Sequence, residues 1–123
     1  MNNLFAIAID GPSGSGKSTV AKVVATKLNF VYIDTGAMYR TIALYFFKKK
    51  IDITKIQSVL NELEHINMEI RFEKGIQVIY LDNEDVAKLI RTQLIADFSS
   101  KLASIPEVRH KLVDIQKKLS LKY

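Results

Sequence analysis

Cysteine is missing from this sequence of 123 residues, so neither a disulfide framework nor a thiolate metal centre can be built from it. That absence fits a reducing, cytoplasmic setting. No apolar run approaches the roughly 20 residues of a membrane span. The opening Met-Asn-Asn is not a basic leader, and the first apolar stretch, residues 4–9, is too short for a signal peptide. Internal repeats, low-complexity tracts and linker compositions are missing too. What is there is 48% hydrophobic and 25% charged, the composition of a soluble globular domain with a single core.

The formal charge of +5 is unevenly placed. From Lys101 onward six Lys or Arg face only Glu107 and Asp114, a local balance of +4. Nucleic acid is one partner that suits a basic end. No aromatic residue interleaves with those charges before Tyr123, however, and a solvated helix face is the preferred reading. No nucleic-acid and no membrane partner is expected.

Residues 4–9 (LFAIAI) form a continuous apolar run ended by Asp-Gly-Pro, as in a buried parallel strand. Val20, Val23, Val24 and Leu28 then recur at helical spacing over 17–28. Residues 30–33 (FVYI) read as a second strand, closed by Asp34-Thr35-Gly36, and a helix is predicted over about 37–48. Strand, glycine loop, helix, strand, helix is the start of a parallel α/β sheet.

The middle of the chain changes character. Thr54-Lys-Ile-Gln57 has the pattern of a capping box ahead of a helix with Ile56, Val59, Leu60 and Leu63 as its apolar stripe. The period then switches to two: Met68, Ile70 and Phe72 alternate with Glu69, Arg71 and Glu73. Lys74-Gly75 and Asp82-Asn83 read as tight turns on either side of residues 76–81, predicting a small antiparallel insert. Near the end, Ser104-Ile-Pro-Glu107 reads as a second capping box, and Ile105, Val108, Leu112, Ile115 and Leu119 mark a core-facing helix. His65 and His110 read as surface residues.

Three of the five glycines fall between positions 11 and 16. Gly11-Pro12-Ser13-Gly14-Ser15-Gly16-Lys17-Ser18 satisfies G-x-x-x-x-G-K-[ST], between a predicted strand and a predicted helix. Glycines let successive N–H groups turn inward toward phosphate oxygens, and the helix start adds its positive dipole end. Lys17 can reach the outer phosphates and the Ser18 hydroxyl can ligate Mg²⁺. A dinucleotide-binding loop fits less well, because G-x-G-x-x-G spacing from Gly11 is absent and Lys17-Ser18 would have no task.

Ligands of open α/β sheets gather at the carboxyl ends of strands, which puts Asp34 beside the phosphate loop. Its carboxylate could hold a Mg²⁺-bound water, and Arg40, about a turn and a half along a helix, could bind an acceptor phosphate. Simple helix capping would also account for Asp34 and Thr35, and a solvated side chain for Arg40.

IAIDGPSGSGKST, YIDTGAMYR, LDNEDVAKLIRT (81–92) and IPEVRHKL (105–112) stand in an order and spacing that resembles the bacterial-type cytidylate kinases, from end to end of the chain. The resemblance implies a P-loop NTPase fold of the nucleoside monophosphate kinase type, with a parallel sheet core and a small antiparallel insert. It implies transfer of the γ-phosphoryl group of ATP to CMP or dCMP with Mg²⁺. Gly11, Pro12, Ser13, Gly14, Ser15, Gly16, Lys17, Ser18 and Thr19 would hold ATP; Asp34, Thr35, Arg40, Ser100 and Arg109 would face CMP. Lys17, Asp34 and Arg40 would carry catalysis, and Ser18 and, through water, Asp34 would hold the metal. Cytosine selectivity is implied for the Ser100–Arg109 pair.

Residues 1–65 would then belong to the kinase core, 66–97 to the insert of the CMP-binding region, and 98–123 to a helical return toward the core. Family members are nearly twice this length and continue into further strands and an arginine-bearing lid. The expectation is an N-terminal portion, truncated relative to the family, with little or no activity by itself. A non-catalytic phosphate-binding fragment and a remnant that self-associates through exposed sheet edges are the alternatives.

Overall fold

Two four-residue strands, β1 (Ala6–Ile9) and β2 (Val31–Asp34), pair in parallel in the computed structural model, which describes residues 6–9 and 31–122. Their register sets Ala6 against Val31 and Ile9 against Asp34. The phosphate-loop sequence 11–19 and the helix expected over 17–28 lie outside the described residues. Ile9, two residues before Gly11, is nonetheless the register partner of Asp34.

Helix α1 (Thr35–Lys48) begins two residues earlier than the hydrophobic pattern indicates. Asp34 is both the last residue of β2 and the helix N-cap, its Oδ1 accepting the Ala37 N–H at 3.0 Å. Residues 41–46 are all buried, with Ile42, Ala43 and Phe46 fully inaccessible. A helix apolar all round must be covered on several sides, and this one is the centre of the core. Thr41, the buried polar residue on it, donates its hydroxyl to the Ala37 carbonyl at 2.8 Å, so no polar atom is left unpaired there. The helix ends in a Schellman motif: Lys50 N–H bonds Phe47 O, Ile51 N–H bonds Phe46 O, and Lys50 takes a left-handed φ of 56°.

The first capping box does not form. The Asp52 carboxylate accepts both the N–H and the hydroxyl of Thr54, at 3.0 and 2.6 Å, which holds Thr54 in a turn, and the helix N-cap falls one residue later, on Lys55. Helix α2 (Ile56–Glu62) starts after Lys55 without a side-chain cap, and Gln57 bonds Asn61 instead of reaching back. Val59 is buried while Ile56 is exposed, which narrows the expected stripe. A 3₁₀ turn (Leu63–His65) follows.

The antiparallel sheet matches its pattern closely. Strands β3 (Met68–Glu73), β4 (Ile76–Leu81) and β5 (Glu84–Asp85) are ordered β3-β4-β5, with Ile70 opposite Ile79, both buried. Two-residue turns join them. Lys74 and Gly75 have φ of 54° and 78°, Asp82 and Asn83 of 50° and 68°, the positive pairs that a type I′ hairpin needs. On the open face Arg71 pairs with Glu69 at 2.7 Å and lies over the Tyr80 ring.

A second 3₁₀ turn (Leu89–Arg91) buries Ile90, and the Thr92 hydroxyl caps α3 (Gln93–Ala103) by accepting the Ile95 N–H. α3 lies along α1, with Ile95 and Leu102 buried in the core. α4 (Pro106–Lys122) returns over it through Val108, Leu112 and Leu119, and Ile105 and Ile115 pack at its margin. Pro106 is the first residue of α4, where its missing N–H is harmless. The second capping box is not formed either: the Ser104 hydroxyl donates to the Lys101 carbonyl at 2.6 Å and closes α3 instead of opening α4. His65 and His110 are exposed, and Lys101, Arg109, Lys117, Lys118 and Lys122 face solvent. Among the described residues, no helix is long and apolar enough to cross a membrane.

Candidate active site

At the carboxyl end of β2, a pocket of about 300 Å³ opens between the first turns of α1, the start of β4 and the segment 85–91. That is the low end of the volumes seen for small-molecule sites. Asp34, Ala37 and Arg40 form one wall, Gln77 and Ile79 another, and Asp85, Val86, Ile90 and Arg91 the third. The pocket therefore lies where the core meets the antiparallel sheet.

Asp34 and Arg40 are brought together as their spacing indicates. Asp34 reaches the pocket because β2 ends there, and Arg40 because it lies one and a half turns into the helix that Asp34 caps. Capping occupies Oδ1 of Asp34. Among the described residues, Arg40 has no ion-pair partner within 4 Å, and it lines the pocket beside Asp34. Gly36 gives it room. A methyl group on Gly36 would lie 3.0 Å from Nη1 of Arg40 and 3.4 Å from Oδ1 of Asp34, so the arginine folds back across a residue with no side chain.

Three further polar groups enter the pocket that pattern reading left unassigned. Asp85 accepts the Ala87 N–H at 2.9 Å, and Arg91 donates Nε to the Ala87 carbonyl at 3.2 Å, so one residue braces both. Gln77 forms two hydrogen bonds with the backbone of Asp34: Asp34 N–H to Oε1 at 3.1 Å, and Nε2 to Asp34 O at 3.0 Å. Arg91 lies in LDNEDVAKLIRT, a segment whose charges were the available signal. Gln77 carried none, because nothing local to residues 76–81 marks one glutamine as holding a distant backbone.

The remaining expected site residues lie elsewhere. Thr35 is the first residue of α1, half-buried, and does not line this pocket. Ser100 is exposed on α3 with its hydroxyl donating to the Ala96 carbonyl at 3.2 Å, and Arg109 is exposed on α4; neither lines it. Gly11, Pro12, Ser13, Gly14, Ser15, Gly16, Lys17, Ser18 and Thr19 are outside the described residues. Among the described residues no group of three acidic or histidine side chains could enclose a metal. A Mg²⁺ ion held by one or two protein oxygens, water and substrate phosphates requires no such group.

The chain matches the family model for cytidylate kinase over residues 7–122. It is 46% identical over 120 residues to the cytidylate kinase of Fusobacterium nucleatum subsp. nucleatum, covering 98% of this chain and 53% of that protein. Against the cytidylate kinase of Caldicellulosiruptor saccharolyticus it is 43% identical over 114 residues, 93% of this chain and 50% of the relative. The Lactobacillus johnsonii cytidylate kinase aligns with all 123 residues at 37% identity, over 54% of its own length. The chain thus spans about half the length of the curated relatives it matches. With the pocket and the motifs around it, these matches establish that the chain belongs to the cytidylate kinase family, whose fold is that of the P-loop nucleoside monophosphate kinases.

Proposed function

We propose that this chain carries the phosphate loop and the first part of the acceptor site of an enzyme that transfers the γ-phosphoryl group of ATP to CMP or dCMP. The observation that carries this reading is the pocket at the end of β2, where Asp34 and Arg40 stand together in a chain of this family. A concave site lined by the Arg40 and Arg91 guanidinium groups suits a nucleoside monophosphate, which presents a dianionic phosphate on a base and sugar.

The reaction needs no protein nucleophile. An oxygen of the acceptor phosphate forms the new bond to the γ-phosphorus, and the bond to the ADP oxygen breaks. The work of the protein is alignment and neutralisation of charge. Arg40 would hold the acceptor phosphate in line. Gly11–Thr19, with Lys17, would hold the donor phosphates. Ser18, and Asp34 through water, would hold Mg²⁺, which when bound supplies positive charge at the donor phosphates. Ser100 and Arg109 would read the base. Residues 1–65 and 98–123 would serve as core and 66–97 as the acceptor-side insert, in a cytoplasmic protein.

Calorimetric titration of the chain with CMP, dCMP, UMP and ATP tests this. Arg40→Met is expected to weaken CMP binding about tenfold or more while sparing ATP, and Lys17→Met to do the reverse. Equal effects of both variants on both nucleotides would overturn the assignment. Conversion of CMP to CDP in the same samples separates transfer from binding without turnover.

A further inference from the structure

We propose that Gln77 is a positioning residue for the acceptor pocket. Its carboxamide holds both backbone polar groups of Asp34 and so fixes the junction from which the Asp34 carboxylate and Arg40 are aimed. This rests on the acceptor-site reading above and extends it to a residue 43 positions away in sequence.

The geometry is reciprocal. Asp34 N–H donates to Oε1 at 3.1 Å, and Nε2 donates to Asp34 O at 3.0 Å. The N–H and C=O of one strand residue point to the same side, which is how paired residues exchange two bonds in an antiparallel ladder. Gln77 therefore does for Asp34 what a residue of a neighbouring strand would do. A carboxamide, carried by Asn and Gln, presents a donor and an acceptor side by side on one planar group, and Asn is one methylene shorter. Both bonds are partly buried, which makes leaving them unmade costly.

Asp34 is a consequential residue to hold. It ends β2 and starts α1, with φ of −92° and ψ of 95°, and its Oδ1 caps the helix. Rotation at its backbone would swing the carboxylate and the first turns of α1 together, and Arg40 lies on those turns. Gln77 is on β4, whose residues 76–79 form the facing wall of the pocket. The grip therefore sets the distance between the two walls as well as the aim of Asp34. Without it, the hairpin remains held by Ile70 and Ile79 in the core, but these two hydrogen bonds to the end of β2 are lost.

The test compares the full chain with Gln77→Leu, which removes both bonds, and Gln77→Glu, which can accept from Asp34 N–H but cannot donate to its carbonyl. Three readouts are taken by NMR and calorimetry: exchange of the Asp34 amide, the Nε–H signal of the Arg40 side chain, and affinities for CMP and ATP. In Gln77→Leu the Asp34 amide is expected to exchange about tenfold faster or more, the Arg40 signal to shift, and CMP to bind about tenfold more weakly, with ATP affinity and Ile79 amide protection unchanged. Gln77→Glu should retain Asp34 amide protection and still lose CMP affinity. Unchanged Asp34 exchange, or faster exchange with an unmoved Arg40 signal, overturns the proposal. Equal losses for CMP and ATP also overturn it, since they indicate a general structural defect. Failure of the unsubstituted chain to bind CMP would instead overturn the acceptor-site reading, and the Asp34 and Arg40 signals would still decide the role of Gln77.

Discussion

Arg40 folds back over Gly36 so closely that a β-carbon on the glycine would lie 3.0 Å from its Nη1 atom. Gly36 is in the first turn of α1 without a positive φ, so the backbone itself would accept alanine. A methyl group here would press on the end of the Arg40 side chain, which would have to shift by a few tenths of an ångström. Gly36→Ala is therefore expected to leave thermal stability unchanged or raise it by up to about 1 kcal/mol, since alanine is the better helix former. The displaced guanidinium should lower CMP affinity about tenfold, with ATP affinity intact. Thermal melting and calorimetry on one sample check both halves. A variant that binds CMP normally would show that Arg40 need not hold this position.

Tyr45 and Glu62 join α1 to α2 through a 2.6 Å hydrogen bond from the phenol to the carboxylate. Burial first, and then the neighbouring Glu62 carboxylate, pushes the Tyr45 phenol up to about 12 from its ordinary 10.0. The folded chain thus retains a proton that the unfolded chain gives up. Below pH 10 the phenol is protonated in both states and its contribution is complete; from pH 10 to about 12 stability falls as pH rises. Tyr45→Phe should cost about 1 kcal/mol at neutral pH, and the gap between variant and parent should narrow through that alkaline window. Urea unfolding at a series of pH values measures the gap. A difference independent of pH would disprove the linkage.

The β3–β4 turn carries its own test. Gly75 has φ of +78° and nothing within 4 Å of where a β-carbon would stand, so left-handed strain, offset in part by the smaller freedom of alanine in the unfolded chain, separates the two there. Gly75→Ala should destabilise by about 1 kcal/mol. Lys74, at φ 54°, should gain from Lys74→Asn, which gives the Asn-Gly pair that type I′ turns prefer. Chemical denaturation of the two variants is expected to move the midpoint in opposite directions. Shifts of the same sign would rule out the turn geometry.

How much of this could be read from the chain follows from the range over which each signal acts. The hairpin was legible because alternation over 68–73 and the turn pairs at 74–75 and 82–83 are local statements, and register follows from them. Asp34 and Arg40 were legible because one strand end and one helix turn relate them. The capping boxes misled for a local reason too: Asp52 holds Thr54 in a turn ahead of a helix whose N-cap is Lys55, and Ser104 stands at the C-cap of α3 with its hydroxyl on the Lys101 carbonyl. Gln77 was invisible because its partner is 43 residues away and no local pattern points to it. Arg91 and Asp85 depended on how the segment after β5 wraps back toward α1, which no periodicity encodes.

The end of α1 shows a residue type working against its conformation. Lys50 closes the Schellman motif at φ 56°, where glycine is the usual occupant, and a non-glycine residue there costs about 1–2 kcal/mol. Its side chain is exposed, so little is lost by removing it. Glycine relieves the strain but adds conformational freedom to the unfolded chain, which takes back up to about 1 kcal/mol. Lys50→Gly should therefore stabilise by about 0.5–1 kcal/mol, while Lys50→Ala, which keeps a β-carbon in the left-handed region, should give no gain. Urea denaturation of the three chains separates these outcomes. Because the motif fixes where Ile51 enters the core margin, the gain should leave CMP and ATP binding unchanged. A gain equal in the alanine and glycine variants would trace the effect to the lost lysine charge and not to the backbone.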